Sequence, residues 1–115
     1  MSTQNEAPSE MRKNVRVDVP GTVCVTDRQT GRRLGQLANI SEDGLMILAS
    51  EPVAENCIFQ LSLGFHDRGD DSQPIEIGVE CLWCHKGNND NQFWAGFYII
   101  DISEPNQERI RGLLG

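Results

Sequence analysis

Apolar and polar residues alternate with a period of two along much of the chain, and this pattern predicts β-strands. The clearest example runs from Ile75 to Cys84, where apolar side chains at every second position alternate with Glu76, Gly78, Glu80 and Leu82. The same period begins at Val15 and continues to Val25, but Pro20-Gly21 interrupts it. Because proline cannot donate to a strand ladder, this first strand is predicted to be bent or bulged.

Four further strands follow from the same reasoning, separated by segments rich in Gly, Asn, Asp and Pro. They are predicted at Arg32–Ala38, Leu45–Ala49, Cys57–Leu63 and Gln92–Ile100, with a hairpin connection at Asp27–Gly31 and a turn at Asn39–Gly44. The period then changes near the end of the chain. Ser103 is a suitable N-cap, and Ile110, Leu113 and Leu114 share one face of a predicted helix.

Six short strands and one terminal helix predict an all-β fold, a small six-stranded antiparallel β-barrel with a C-terminal α-helix. Closing the sheet into a barrel leaves no strand edge exposed. The 115 residues suffice for one domain with a core of its own. Residues 1–11 lack apolar periodicity and are expected to form a flexible, disordered tail, and residues 12–115 the barrel domain.

Charge is unevenly distributed along a chain whose net charge is −7. Six of the ten cationic side chains lie between residues 12 and 33. The segment from Glu42 to Glu80 contains nine carboxylates and one cation, Arg68. A duplex DNA would be repelled beyond the basic region, so a compact anion is the expected partner. No apolar run is long enough to span a membrane, and the polar, acidic start is unlike a secretory signal, which predicts a cytoplasmic protein.

The basic region contains an RxxxR motif, Arg12 to Arg16, with Lys13 as an additional cation. Planar guanidinium groups bind phosphate oxygens in pairs and also match the O6/N7 edge of guanine. In an extended segment, residues four apart point the same way at roughly 13 Å, which suits a dinucleotide. Alone, such a motif is more typical of a solvated basic tail.

A second motif, NxSxxG, comprises Asn39, Ser41 and Gly44. Asn39 and Ser41 can bond nearby backbone groups, and Gly44 permits a positive φ. These properties describe an ordinary turn between strands. They are equally consistent with a ligand site in which free hydrogen-bonding groups of Asn39 and Ser41 face the arginines.

Cysteine, histidine and tryptophan residues offer weaker evidence. Cys81 and Cys84 form a CxxC, but residues three apart in a regular strand point to opposite faces, which predicts isolated or buried thiols and no metal site. His66 and His85 have no recognisable nucleophile nearby, so no enzymatic activity is predicted. Trp83 is by default a core aromatic, with base stacking as the minority alternative.

Together, the RxxxR and NxSxxG motifs ahead of and within a run of short strands resemble the PilZ domain, and the resemblance extends from Arg12 to Leu114, including Trp94-Ala-Gly96-Phe97. It implies a six-stranded barrel that binds the bacterial second messenger cyclic di-GMP. By position, it implies phosphate and guanine contacts from Arg12 and Arg16, and an opposing face formed by Asn39, Ser41 and Gly44. Trp83 falls where some members place an aromatic against the ligand.

The chain departs from the family pattern at two points. Met11 stands where the longer family string RRxxxR has its first arginine, which leaves open whether one nucleotide or a stacked pair binds. Cys84-His85 follow Trp83 where some members have a basic residue.

The sequence therefore predicts a non-enzymatic cyclic di-GMP receptor without a cofactor, whose arginine tail orders over the nucleotide and which relays the signal to a protein partner. A PilZ-like interaction module that does not bind the nucleotide is the alternative. A zinc or redox protein, based on the cysteines alone, is a third.

Overall fold

A computed structural model describes residues 23–65 and 73–114 in full, and the backbone of Val17 and Asp18. The predicted tail, the RxxxR motif and Lys13 lie outside the described residues. The strands are β1 (Val17–Asp18), β2 (Val23–Asp27), β3 (Arg33–Ile40), β4 (Gly44–Ala49), β5 (Ile58–Phe65), β6 (Ile75–Lys86) and β7 (Phe93–Ile102), and one helix, α1 (Glu104–Leu114), follows. From β3 onwards, the strand bounds agree with the sequence prediction to within two residues at either end.

The sheet closes into a barrel of six antiparallel strands in the order β3, β2, β5, β6, β7, β4 and back to β3. This confirms the predicted fold class. Every barrel strand has two neighbours, so closure satisfies the backbone groups that an open sheet would leave at its edges.

The first predicted strand consists of two segments, β1 and β2, on the same side of β3. Val17 pairs with Ile40 near the end of β3, whereas Cys24 pairs with Gln36 nearer its middle. The two segments do not share one register, as expected for a strand interrupted by Pro20-Gly21.

The core is built from inward-facing side chains of all six barrel strands, together with Val53 of the β4–β5 connection and one residue of the helix. Ile110 of α1 is 1% exposed and packs within this core. The largest fully buried side chains are Phe97, Ile40, Leu45, Ile47, Leu61, Leu63, Ile75, Ile77 and Ile110.

Helix α1 is held at the end of the barrel where β6 begins. The Asn106 backbone N–H donates to Ser103 Oγ at 3.3 Å, which confirms the predicted N-cap. The Asn106 side-chain amide donates to the Glu76 carbonyl at 3.2 Å, and Arg109 donates to the Pro74 carbonyl at 3.4 Å. No helix in the described ranges has the length and apolar content needed to cross a membrane.

A β-bulge in β6 overturns the prediction that Cys81 and Cys84 point to opposite faces. Cys81 pairs with Phe97 but Trp83 pairs with Gly96, so Leu82 is an extra residue without a partner on β7. The bulge reverses the alternation that follows it. Cys81 is fully buried, and Cys84 also packs against the core.

Cys57, Cys81 and Cys84 lie near one another in the described part of the chain. The Val53 backbone N–H donates to Cys84 Sγ at 3.4 Å, and the Cys81 N–H donates to the Cys57 carbonyl at 2.9 Å. Within the described residues, no group of three His, Cys, Asp or Glu side chains is arranged to hold a metal ion. Burial, reinforced by the nearby Cys84 thiol, raises the pKa of Cys81 to about 11.

This pKa predicts a loss of stability at alkaline pH. Because the folded-state value of about 11 exceeds the ordinary value of 9.0, the neutral thiol stabilises the fold below pH 9, and this contribution is lost as the pH rises towards 11. The loss should be about 3 kcal/mol, since each pKa unit corresponds to about 1.4 kcal/mol. Urea unfolding of the wild-type chain and of Cys81→Ala at several pH values measures this loss. Above pH 9, the free energy of unfolding should fall more steeply with pH for the wild-type chain than for Cys81→Ala. Equal slopes would contradict the assignment.

Candidate functional site

The NxSxxG turn connects β3 to β4 and is closed by its serine. The Ser41 N–H donates to the Gly44 carbonyl at 2.8 Å, and the Gly44 N–H donates to Ser41 Oγ at 3.2 Å. The Ser41 hydroxyl lies 3.2 Å from both Asp43 Oδ1 and the Gly44 carbonyl oxygen, either of which can accept its hydrogen. With 1% of its surface exposed, Ser41 has its hydrogen-bonding capacity used within the turn.

Gly44 does not have the expected positive φ. Among the described residues, Gly31 and Asn56 have φ values of 79° and 63°, whereas Gly44 is the first residue of β4. Gly31 occupies the predicted Asp27–Gly31 hairpin, where its N–H donates to the Asp27 carbonyl at 2.7 Å. The left-handed glycine therefore lies in that hairpin.

A β-bulge sets the orientation of Asn39. Leu37 pairs with Ile47 but Asn39 pairs with Met46, so Ala38 is an extra residue of β3. Leu37 and Ile40 are both buried, although a regular strand would direct residues three apart to opposite faces. The bulge thus places Ile40 in the core and turns the half-buried Asn39 towards the outer wall of the barrel.

Asn39 and Trp83 lie in one row of paired residues across this wall. The register joins Asp18 to Asn39, Asn39 to Met46, Met46 to Gly96 and Gly96 to Trp83. Neighbouring strands are about 4.8 Å apart, so Asn39 and Trp83 are separated by roughly 14 Å along the row. We call this row the outer-wall site.

The Trp83 indole lies directly over Gly96. The two are so close that a methyl group added to Gly96 would overlap the ring atoms of Trp83. The His85 ring lies beside it, with centroids 5.1 Å apart and an interplanar angle of 33°. Trp83 is half-buried on the outer wall, where part of the ring remains accessible to a planar ligand. This differs from the core position predicted by default.

An ion pair that the sequence did not reveal connects the turn to the helix. Arg111 Nε lies 2.9 Å from Glu42 Oε2 and Arg111 Nη1 lies 3.0 Å from Glu108 Oε2. The Glu42 carboxylate raises the pKa of Arg111 above its ordinary value. Arg111 therefore offsets a negative charge within the NxSxxG motif. Arg111 and Glu42 are 69 residues apart in the chain, so no local sequence pattern predicts their pairing.

The residue directly after the RxxxR motif lies beside this turn. Val17 pairs with Ile40, and Asp18 pairs with Asn39, so β1 runs along the end of β3 that carries the second motif. The structure thus brings together Asn39, Ser41, Gly44 and the start of β1 at one end of the outer-wall site, with Trp83 along the same row.

The comparisons with known proteins agree with this architecture. The family model described as the PilZ domain matches residues 10–115. None of the curated proteins matches the chain. Two solved structures share the fold with high probability, although their sequences are only 15–16% identical to this one.

The first is the inhibitor of motility MotI/DgrA of Bacillus subtilis, with a TM-score of 0.65 and 16% identity. The alignment covers 87% of this chain but 49% of that one, so this chain spans about half the length of MotI. The second is the PilZ domain of YcgR from Escherichia coli, solved with cyclic di-GMP, with a TM-score of 0.63 and 15% identity. That alignment covers 84% of this chain and 83% of the other.

Removing the Ser41 hydroxyl should destabilise the barrel. In Ser41→Ala, the buried Gly44 N–H loses its acceptor, which costs on the order of 1–3 kcal/mol. Urea denaturation measures the loss, and Ser50→Ala, at an exposed serine, is the control expected to change stability by less than about 0.5 kcal/mol. Equal stabilities of the two variants would contradict this role of Ser41.

Gly96→Ala should displace the Trp83 indole from the outer wall, because the new methyl group and the ring cannot share the space. The indole N–H signal of Trp83, assigned with Trp83→Phe, should move in a ¹H–¹⁵N correlation spectrum. Gly112→Ala is the matched control, since its added methyl meets nothing within 4 Å. An unmoved indole signal in Gly96→Ala would show that the ring does not lie over Gly96.

Proposed function

Because the chain belongs to the PilZ domain family, we propose that it is a receptor for cyclic di-GMP that binds the nucleotide at the outer-wall site. The register of β1 against β3 carries this proposal. Val17, which directly follows the RxxxR motif, is paired with Ile40 inside the NxSxxG motif. Since consecutive Cα atoms are about 3.8 Å apart, the two motifs are joined through one residue and one strand pairing.

In the proposed complex, Arg12 and Arg16 bind the phosphates and guanine edges, and Lys13 adds positive charge. Asn39 contributes on the opposing side, while Ser41 and Gly44 hold the turn in shape through their mutual hydrogen bonds. The exposed part of the Trp83 ring stacks on a base. These roles combine charge-assisted binding of phosphate with π-stacking, which together suit a cyclic dinucleotide.

Local charge is compatible with an anionic ligand. Two carboxylates lie in the turn, but Glu42 is paired with Arg111 and Asp43 lies within hydrogen-bonding distance of Ser41 Oγ. The pairing with Arg111 reduces the repulsion between Glu42 and a doubly negative nucleotide. The arginines of the first motif would supply the excess of positive charge.

We further propose that the domain acts in the bacterial cytoplasm by binding rather than by catalysis. It then passes the signal to a protein partner. Ordering of the arginine segment over the nucleotide would supply the change that a partner detects. The solved YcgR domain contains cyclic di-GMP, and its shared fold supports the ligand assignment.

Calorimetric titration with cyclic di-GMP tests the proposal. The wild-type chain should bind saturably, and Arg16→Ala should weaken binding by about 5- to 150-fold, which corresponds to the 1–3 kcal/mol of one bidentate arginine contact. The same titration reports the number of nucleotides bound. A PilZ-like interaction module that does not bind the nucleotide is the alternative, and it predicts no saturable heat.

Arg33→Ala provides the matched control. Arg33 is exposed and begins β3, whereas Asn39 lies near the other end of the same strand. Arg33→Ala changes the net charge by the same amount as Arg16→Ala, but it leaves the outer-wall site intact. Equal weakening by Arg33→Ala and Arg16→Ala would indicate a general electrostatic effect and reject the assigned site.

A further inference from the structure

Large apolar side chains are exposed on the outer surface of β5, β6 and β7. Ile58 is 61% exposed, Leu82 50%, Tyr98 47% and Ile100 45%. Single exposed apolar residues are common on protein surfaces, but a contiguous group indicates an interaction site. Whether these four residues form such a group depends on the strand register.

The register places Leu82 and Ile100 on either side of Tyr98, and Ile58 across Glu80 from it. Ile58 pairs with Glu80, and Glu80 pairs with Tyr98, so the side chains of this row are about 5 Å apart. Leu82 lies two residues after Glu80 on β6, and Ile100 lies two residues after Tyr98 on β7. Because the two strands are antiparallel, Leu82 and Ile100 lie on opposite sides of this row, with Tyr98 between them. We call these five residues, Ile58, Glu80, Leu82, Tyr98 and Ile100, the β5–β7 face.

Leu82 and Ile100 are exposed because each follows a buried residue, Cys81 or Ile99, in the regular alternation, and each is also the extra residue of a bulge. Leu82 is the unpaired extra residue of β6, and Ile100 is that of β7, since Gly78 pairs with Asp101 but Val79 pairs with Ile99. Bulges are over-represented next to functional surfaces, and here both extra residues are apolar and exposed. Neither leucine nor isoleucine is needed at these positions for the packing of the core, whose members are other residues.

The charge on this face has one sign. Glu80 lies within it, Asp101 follows Ile100, and β5 and β7 contain no lysine or arginine. Lys86, the cation of β6, lies at the far end of that strand and is paired with Asp90 at 2.9 Å. The face therefore offers apolar contact area together with carboxylates.

These properties select among possible occupants. A second copy of the chain would bring the same carboxylates against themselves, and an anionic membrane surface would be repelled. Each of the six barrel strands is paired on both sides, so a partner cannot add a strand to an edge of this part of the sheet. Recognition must then come from side chains.

We infer that the β5–β7 face docks a segment of another protein that combines apolar side chains with lysine or arginine. Burial of Leu82, Tyr98 and Ile100 would supply the binding energy, and pairing with Glu80 and Asp101 would supply the charge selectivity. The face adjoins the outer-wall site, because Tyr98 pairs with Gly44 and Leu82 precedes Trp83. The inference goes beyond nucleotide binding and does not require it.

Three synthetic peptides of equal length test this inference, one of leucine and lysine, one of serine and lysine, and one of leucine and glutamate. Each is added to the ¹⁵N-labelled full chain without nucleotide, so the result is independent of cyclic di-GMP binding. The leucine–lysine peptide should bind saturably, shift the backbone signals of Ile58, Leu82, Tyr98 and Ile100, and bind at least about tenfold more tightly than the other two. Shifts confined to other residues, or equal binding of all three peptides, would overturn the inference.

Variants separate the two contributions. Leu82→Ser combined with Ile100→Ser should weaken binding by about tenfold or more, and Tyr98→Ser alone, at another exposed position, provides a second variant should the pair impair folding. Glu80→Gln should weaken binding and reduce its salt dependence. Asp90→Asn removes a carboxylate from the β6–β7 connection and is the control expected to leave the affinity unchanged within about twofold.

Two further measurements decide against other occupants. In sedimentation experiments on the wild-type chain alone, we expect no self-association through this face. The wild-type chain and the double variant Leu82→Ser/Ile100→Ser should therefore have the same sedimentation behaviour. Vesicles of neutral and of anionic phospholipid should bind the wild-type chain no better than they bind this double variant. Dimerisation or vesicle binding through these residues would replace the inference with a second copy or a lipid surface as the occupant.

Discussion

Backbone pairing along β3 is the constraint on which the rest of the structure depends. On one side β3 pairs with β4, which closes the barrel, and on the other it pairs with both β1 and β2. Its last residues carry the NxSxxG turn, whose Ser41 and Gly44 bond to each other. Because β1 occupies the same end of β3, closing the barrel also brings the chain that follows the RxxxR motif to this turn. Fold and candidate site therefore share one set of hydrogen bonds.

Three of the four bulges in the described strands adapt this regular framework to a surface with specific chemistry. The extra residue Ala38 turns Asn39 to the outer wall, and the extra residue Leu82 places Trp83 on the same wall while keeping Cys81 and Cys84 against the core. The third, with Ile100 as its extra residue, shifts the alternation on β7 so that Ile102 packs against the core. A regular six-stranded barrel would satisfy the same backbone groups, but it would direct several of these side chains elsewhere.

The helix links the fold to the candidate site at one end of the barrel. Ile110 is buried in the core, which fixes the helix by apolar packing, and Arg111, the next residue, pairs with Glu42 in the turn. An exposed ion pair contributes little to stability. Its consequence is electrostatic, because it offsets a carboxylate beside the proposed binding site for an anion. The nearby β5–β7 face differs from the proposed anion-binding site, because its exposed apolar side chains and carboxylates suit a basic partner.

The sequence by itself determined the six strands of the barrel, the terminal helix with its Ser103 cap, and the family, because period-two alternation, turn residues and the two motifs are local properties of the chain. It did not determine that the first strand consists of two segments. Tertiary structure decided which face each side chain occupies. Bulges arise where the registers of two strands distant in sequence must be reconciled, so the alternation in β6 could not reveal that Cys84 joins Cys81 in the core. The stacking of Trp83 on Gly96 and the pairing of Arg111 with Glu42 were likewise decided by tertiary contacts, since neither leaves a local signal in the chain.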